Sequence, residues 1–209
     1  MTQERSVRTR RLLLRAAAGE FAAHGYTGAR LQTVVDRIGM TKGALYGHFT
    51  SKDDLARAVA AEAVRAWEVL RGELSAAAPD AGTELRLMAE RLVRLMDDDP
   101  VFRAAVRLTA EGHRGHSERD LLATVAAHTT ALVRRAQDQQ ALSADHPAVV
   151  LADLVTAAIF AGARSGAASA TARRTRLDGL WELLGPGGPR CRPPSHPPQI
   201  SRREAADGK

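Results

Sequence analysis

Thr41-Lys42-Gly43-Ala44-Leu45-Tyr46-Gly47-His48-Phe49 is the stretch of sequence that decides the fold. It predicts a short helix that begins at its first residue, because a threonine hydroxyl can accept a hydrogen bond from a free backbone N–H of the first turn. Leu45 and Phe49 lie four residues apart, so they share the face that packs inward. The polar ends of Lys42, Tyr46 and His48 are left on the outside.

A second short helix is predicted immediately upstream, over residues 31–38. Its apolar residues recur on one face: Leu31, Val34, Val35 and Ile38. The dipeptide Gly39-Met40 then forms a tight turn. Two short helices joined by a glycine-containing turn are typical of a helix-turn-helix, whose second helix enters the major groove of DNA. Gly43, in the first turn of that second helix, leaves room for a close approach.

The rest of the chain predicts an all-α fold. Aromatic residues make up only 4% of the sequence, so the core must consist of Ala, Leu and Val, a composition that favours packed helices. The further helices are expected at 8–24, capped by Gly25; from the Ser51 cap to about Leu74; and at 83–96, 101–111 with Pro100 at the first position, 117–140, 148–170 and 171–184. No regular structure is expected at 1–7, 75–82 and 112–116, and the Pro- and Arg-rich stretch 185–209 is predicted to be disordered.

Positive charge is concentrated at the two ends of the chain. Residues 1–55 carry nine basic and five acidic side chains, a net +4, and residues 185–209 carry five and two, a net +3. The segment between them carries sixteen and seventeen, a net −1. This distribution is typical of a DNA-binding unit attached to a body that does not bind DNA. Only three of the thirty basic residues are lysines, and Lys42 and Lys52 fall on the motif, either by chance or because close phosphate contact needs them.

Arg8, Arg10 and Arg11 precede the motif and have two interpretations. They form either a basic arm that follows the DNA backbone or enters the minor groove, or the solvated start of a helix.

A cytoplasmic protein without a membrane segment is expected. No apolar stretch follows the first residues as in a signal peptide. The longest apolar run, 149–163, contains Asp153 and is too short for a bilayer. Cys191 is the single cysteine, so no disulfide can form within the chain.

Two groups of residues could imitate metal ligands. Asp97-Asp98-Asp99 is better explained as a helix end followed by a helix start. Glu111, His113 and His116 are better explained as a glycine-rich turn, since no zinc-type spacing supports them. We expect no metal and no cofactor. No nucleophile paired with a base and no phosphate-binding loop are found, so an enzyme is not expected; a small helical enzyme and a purely architectural DNA-binding protein are the alternatives.

The motif at 41–49, followed by Ser51-Lys52, resembles the recognition-helix signature of TetR-type transcriptional repressors, and most closely their γ-butyrolactone receptor branch in actinomycetes. The resemblance covers about the first third of the chain. It implies a helix-turn-helix domain at 8–68, a ligand-binding and dimerisation domain at 69–184, and a basic tail at 185–209. It also implies a homodimeric repressor of antibiotic or secondary-metabolite genes, which a small-molecule effector releases from a palindromic operator.

The resemblance and the residue pattern together indicate two sets of contact residues. The DNA contacts are expected at Thr33, Thr41, Lys42, Gly43, Tyr46, His48 and Lys52. The dimer interface is expected in the last two helices, at Ala158, Gly162 and Gly166, where small residues recur every fourth position, and at Leu177 and Trp181 on an apolar stripe.

An effector pocket is expected inside the helical body. Its predicted lining is Trp67, Met88, Leu92, Phe102, Val106, Thr109, Val125, His128 and Phe160, with Trp67 and His128 having core packing as their alternative. Receptors of this branch typically carry a pocket tryptophan in the middle helices, whereas this chain has none between Leu74 and Leu180. This difference favours a pseudo-receptor that answers to an antibiotic or intermediate, or that binds DNA independently of any ligand.

Overall fold

The computed structural model describes residues 2–113, 120–162 and 170–184, and every regular element in these ranges is an α-helix. The helices are α1 Thr2–Gly28, α2 Leu31–Arg37, α3 Lys42–Tyr46, α4 Lys52–Ala77, α5 Ala81–Asp98, α6 Pro100–Ala110, α7 Leu121–Asp138, α8 Ala148–Phe160 and α9 Ala170–Leu184. The predicted all-α fold is confirmed. The tail 185–209 lies outside the described residues.

The helix-turn-helix forms where the sequence predicts it. The Thr41 hydroxyl accepts a hydrogen bond from the Ala44 N–H at 3.2 Å, which confirms the cap of α3. Leu45 and Phe49 are both buried, as their spacing requires. The helix itself ends at Tyr46, three residues earlier than predicted, although the N–H groups of His48 and Phe49 still donate to the Leu45 carbonyl at 2.9 Å.

α1 begins six residues earlier than predicted, at Thr2 instead of Arg8. The expectation of a disordered segment before Arg8 is therefore wrong from Thr2 onward. Residues 2–12 have high intrinsic helix propensity in Gln, Glu, Arg and Leu, and Glu4 lies in the first turn, where a negative charge is favourable. Extending an existing helix also avoids the cost of nucleating a new one.

Gly25 kinks α1 near its end. Its φ of 68° lies in the left-handed region, which confirms the predicted glycine cap. One further helical turn follows the kink, and the backbone N–H of Tyr26 donates to Glu111 Oε2 at 2.9 Å. The end of α1 is therefore attached to the end of α6.

Carboxylates mark the boundaries of α4, α5 and α6. The predicted linker 75–82 is shorter in the structure, because α4 continues to Ala77 and α5 begins at Ala81. Asp80 caps α5 by accepting from the Thr83 N–H at 2.8 Å, and its hydrogen bonds to Thr83 lower the pKa of its carboxyl. Asp99 caps α6 by accepting from the Val101 N–H at 2.8 Å, with Pro100 in the first turn as predicted.

α8 is shorter than the helix predicted to reach residue 170. It ends at Phe160, and Gly162 has a φ of 75°, in the left-handed region that interrupts regular α-helical geometry. The predicted stripe of Ala158, Gly162 and Gly166 on one helical face is therefore wrong. Ala158 lies in α8, Gly162 lies in the turn that follows, and Gly166 lies outside the described residues.

A single hydrophobic core joins the helix-turn-helix to the body. α6 packs extensively against α1 and α4, and α7 packs against α8. α4 passes without a break through residues 68 and 69, where the predicted domain boundary lies. No helix in the described ranges is both long and apolar enough to cross a membrane.

The conformation of Gly25 leads to a prediction about stability. Gly25→Ala should lower the free energy of unfolding by about 2 kcal/mol, because a left-handed backbone is strained for a residue with a Cβ and the new methyl group would collide with the Glu111 carboxylate. Gly72→Ala is the matched control. Gly72 lies inside α4 with nothing within 4 Å of a built Cβ, so that change should raise the free energy by about 0.5–1 kcal/mol. Urea denaturation measures both, and equal effects would contradict the role of Gly25.

Candidate nucleic-acid interface

Most of the predicted DNA contacts form one exposed surface. Thr33 lies on α2, Thr41 caps α3, and Lys42, Gly43 and Tyr46 lie on α3; all five are exposed. Half of the Tyr46 surface is accessible, a large fraction for an aromatic side chain. His48 is partly buried beside them. The surface offers hydroxyl, ammonium and imidazole groups, which can donate hydrogen bonds to phosphate oxygens or base edges.

Glu20 of α1 supports this surface from within, and sequence reasoning did not identify it. Arg30 occupies the N-cap position of α2, but its side chain makes no capping bond. Its backbone N–H instead donates to Glu20 Oε1 at 3.1 Å, and Arg37 Nη2 lies 3.7 Å from Glu20 Oε2. Glu20 is only 2% exposed, so this carboxylate links α1 to both ends of α2. An acidic residue within the apolar run 16–23 is the sequence signal for it.

Lys52 has partners inside the protein. Its ammonium donates to the carbonyl of Ala29 at 2.6 Å and to that of Thr27 at 3.4 Å, and it lies 4.9 Å from the centre of the Tyr26 ring. Burial lowers the pKa of the Lys52 ammonium, and the charge of Glu20 opposes this shift. These contacts attach the start of α4 to the end of α1. They favour a structural role over the phosphate contact that the sequence predicts.

Tyr26 and His113 connect the helix-turn-helix to the end of α6. Their rings stack with centroids 3.5 Å apart, and His113 Nε2 lies 3.1 Å from Asp53 Oδ1 at the start of α4. Burial, and to a smaller extent the charge of Asp53, raises the pKa of the Tyr26 phenol.

Arg107 of α6 reinforces the same junction. Its Nη1 donates to the carbonyls of Ala22 and Ala23 at 3.0 and 2.8 Å, and its Nε donates to Glu111 Oε1 at 2.8 Å. Carbonyls in the last turn of a helix lack partners within it, so the guanidinium satisfies part of the end of α1. Glu111 and His113, considered above as metal ligands, both belong to this junction; His116 lies outside the described residues. Two of the three carboxylates at 97–99 also have partners in the protein, because Asp97 pairs with Arg173 and Asp99 caps α6.

The residues predicted to line the effector pocket lie in the body. Six of them are fully buried: Trp67, Met88, Leu92, Phe102, Val106 and Val125. Thr109, His128 and Phe160 are partly buried. Trp67 meets the His128 ring edge-on at 5.6 Å, and Phe102 stacks on Phe160 at 6.5 Å. The structure therefore joins these residues into one apolar interior, and their role as a ligand site stays a prediction.

Polar groups in this interior surround His128. Glu84 is 3% exposed and lies 3.8 Å from His128 Nε2 and 3.3 Å from Arg135 Nη1. Burial lowers the pKa of His128, and the charge of Glu84 opposes this shift. The buried indole N–H of Trp67 has no acceptor among the described residues. A donor of this kind can bind a ligand oxygen.

α9 packs differently from the prediction. Leu177 and Trp181 are buried within the protomer, and the Arg86 guanidinium covers the Trp181 ring at 5.2 Å. They consequently offer little surface to a partner. The exposed apolar side chains of this region lie elsewhere: Val149, Val150 and Leu154 on α8, and Leu183 on α9, each about half exposed.

The known proteins that this chain resembles are transcriptional regulators. Residues 13–59 match the family described as "Bacterial regulatory proteins, tetR family". The chain is 34% identical over 168 residues to the HTH-type transcriptional repressor Rv1474c of Mycobacterium tuberculosis, covering 75% of this chain and 83% of that protein.

Solved structures show the same architecture. A γ-butyrolactone receptor described as an ArpA-like protein has a TM-score of 0.75 at 26% identity, with 86% of this chain and 87% of that chain covered. CprB from Streptomyces coelicolor, in complex with its operator sequence, has a TM-score of 0.74 at 26% identity, with coverages of 86% and 88%.

The two lysines of the motif should behave differently when replaced. Lys42→Ala should reduce the slope of log affinity against log salt by about 0.9 per protomer, because one phosphate contact is lost, and should leave the melting temperature unchanged. Lys52→Ala should keep the slope and lower the free energy of unfolding by about 1–2 kcal/mol, through the lost charged hydrogen bonds. Fluorescence anisotropy on duplex DNA and thermal denaturation measure the two effects. An equal loss of slope in both variants would place Lys52 on the DNA backbone.

Proposed function

The chain belongs to the TetR family of bacterial transcriptional regulators and is a DNA-binding repressor, not an enzyme, and we propose that it works as an effector-gated homodimer on a palindromic operator. Its α3 reads one half-site in the major groove. Because a two-fold axis relates the two protomers, the two half-sites form a palindrome.

The observation that carries gating is the junction between α6 and the helix-turn-helix. Arg107, Glu111 and His113 contact α1 and α4 through directed hydrogen bonds and a ring stack. A ligand that favours a different position of α6 would therefore move α1, α4 and the attached α3. The coupling free energy arises because the effector and the operator prefer different arrangements of these helices.

The exposed side of α8 supports dimerisation. Val149, Val150 and Leu154 each leave about half of their surface accessible, and a cluster of apolar residues on a surface helix is typical of an interface. We assign the dimer contact to this side of α8, with Leu183 of α9 as a further candidate. This assignment replaces the buried Leu177 and Trp181.

The apolar interior around Trp67 and His128 is the proposed effector site. It combines a large apolar lining with a few polar groups, as small-molecule sites usually do. The His128 imidazole and the Trp67 indole N–H would orient the ligand. Among the structural relatives are a γ-butyrolactone receptor and a structure described by its role in the control of antibiotic production. They support a role in controlling antibiotic or secondary-metabolite genes.

A second candidate function is ligand-independent repression by a pseudo-receptor. The observation that favours it is the absence of a tryptophan between Leu74 and Leu180, since the only tryptophans are Trp67 and Trp181.

One experiment tests gating and separates the two candidates. Selection from random duplexes with the full-length protein should yield a palindromic site. A gel shift on that site is then titrated with γ-butyrolactones and with antibiotics of the host. Release by one of these classes supports gating. Retention of the operator with every compound favours the pseudo-receptor, and selection of a non-palindromic sequence would contradict the dimeric mode of binding.

The dimer assignment predicts the effect of a single charge. Leu154→Glu should raise the dimer dissociation constant about 100-fold or more, because each dimer would bury two unpaired carboxylates. Val69→Glu on α4 is the matched control, since Val69 is an equally apolar and even more exposed residue outside α8, and it should leave the dimer intact. Sedimentation velocity measures both variants. A dimeric Leu154→Glu protein would show that the interface lies elsewhere.

A further inference from the structure

The net positive charge of the DNA-binding region comes from the first half of α1. Residues 1–15 contain five arginines and one glutamate, a net +4. Residues 16–55, which include α2 and α3, contain four basic and four acidic side chains and are neutral. The helix-turn-helix itself thus contributes no net attraction for a polyanion.

Two of the four cations in residues 16–55 are occupied by the protein itself. Arg37 lies beside the buried carboxylate of Glu20 and donates to the carbonyl of Ala16 at 3.4 Å. Lys52 donates to the carbonyls of Thr27 and Ala29. Lys42 and Arg30 are left to contact phosphates. A dimer would then have four such cations in this region, fewer than a protein that makes about 6–10 phosphate contacts.

Arginines of α1 lie close enough to the helix-turn-helix to supply further phosphate contacts. The guanidinium of Arg10 lies 4.8 Å from the centre of the Phe49 ring, and Phe49 follows the end of α3 by three residues. α1 therefore passes beside the segment that follows the recognition helix. The residues before Arg10 extend it by about 12 Å at a rise of 1.5 Å per residue.

The arginines of this segment face solvent in an ordered arrangement. We define the N-terminal arm as residues 2–11, in which Arg5, Arg8 and Arg11 are exposed. They recur at every third position of a continuous helix, so successive guanidinium groups are held near one another along the arm. A helical arm is ordered before binding, so less conformational entropy is lost on DNA than with a disordered arm.

We propose that the N-terminal arm is the main phosphate-binding element of this repressor, and that Arg5, Arg8 and Arg11 contact the DNA backbone beside the groove that α3 enters. The inference rests on the proposed function. The partner is the sugar–phosphate backbone of duplex DNA, recognised through its charge and not through its sequence. The arm therefore sets affinity and salt dependence, whereas α3 sets specificity.

The test compares two triple variants of equal charge. R5Q/R8Q/R11Q removes the arginines of the arm, while R91Q/R94Q/R134Q removes three exposed arginines of α5 and α7. Binding of the full-length proteins to a mixed-sequence duplex of about 30 bp is followed by fluorescence anisotropy across a range of KCl concentrations. In the arm variant, the slope of log affinity against log salt should be reduced by about 2–3 per protomer. The body variant should retain the wild-type slope.

Two further measurements exclude indirect effects. R5K/R8K/R11K should keep the wild-type slope, because lysine preserves the charge, and circular dichroism should show unchanged helix content in all variants, because glutamine and lysine are good helix formers. The arm variant should still prefer the operator selected above to the mixed-sequence duplex, because its affinities for the two duplexes fall by the same factor.

The outcomes separate this inference from the proposed function. A wild-type slope in R5Q/R8Q/R11Q, or an equal loss in the body variant, would overturn the role of the arm while DNA binding by α3 stands. Loss of operator preference in the arm variant would show that the arm reads bases and would also overturn the proposal. A wild-type protein that selects no operator would instead refute the proposed function.

Discussion

The end of α1 is the point on which the arrangement of this protein depends. A helix that stops inside a protein leaves its last carbonyl groups without partners, and here Arg107 of α6 supplies donors to those of Ala22 and Ala23. Glu111 then binds the N–H of Tyr26 beyond the kink. Since α2, α3 and α4 all follow from this point, the position of the recognition helix is determined by contacts with the body.

Charged groups in this protein have two separate uses. Those of Glu20, Arg37 and Lys52 satisfy backbone groups or one another at the corner of α1, α2 and α4. Those of Arg5, Arg8 and Arg11 in the N-terminal arm face solvent. The formal charge of a DNA-binding region is therefore a poor guide to which cations meet phosphate, because cations near the recognition helix can be engaged in holding it.

Helix caps can be predicted from the sequence, whereas the packing between distant helices cannot. The caps at Thr41, Ser51 and Gly25 depend on neighbouring residues, and the structure confirms them. The roles of Lys52 and Trp181 depend on what packs against them from afar, which periodicity does not reveal. α8 ended early for a different reason: Ala and Gly continue a helical pattern in sequence, but the left-handed backbone at Gly162 stops it. The outward-facing side of residues 41–48 can be predicted because it lies within one motif, whereas its contacts with DNA stay a prediction.

Gly25 and Glu111 also constrain how the family can diverge. A side chain at position 25 would occupy the space of the Glu111 carboxylate, and that carboxylate is held by Arg107 and by the Tyr26 N–H. Substitution at position 25 therefore has two costs, the strained left-handed backbone and the collision with Glu111, and a shorter residue at position 111 relieves the second. Among homologous repressors, the two positions should covary: a glycine paired with a long acidic residue, or a larger residue paired with a short one, even though they are far apart in the sequence.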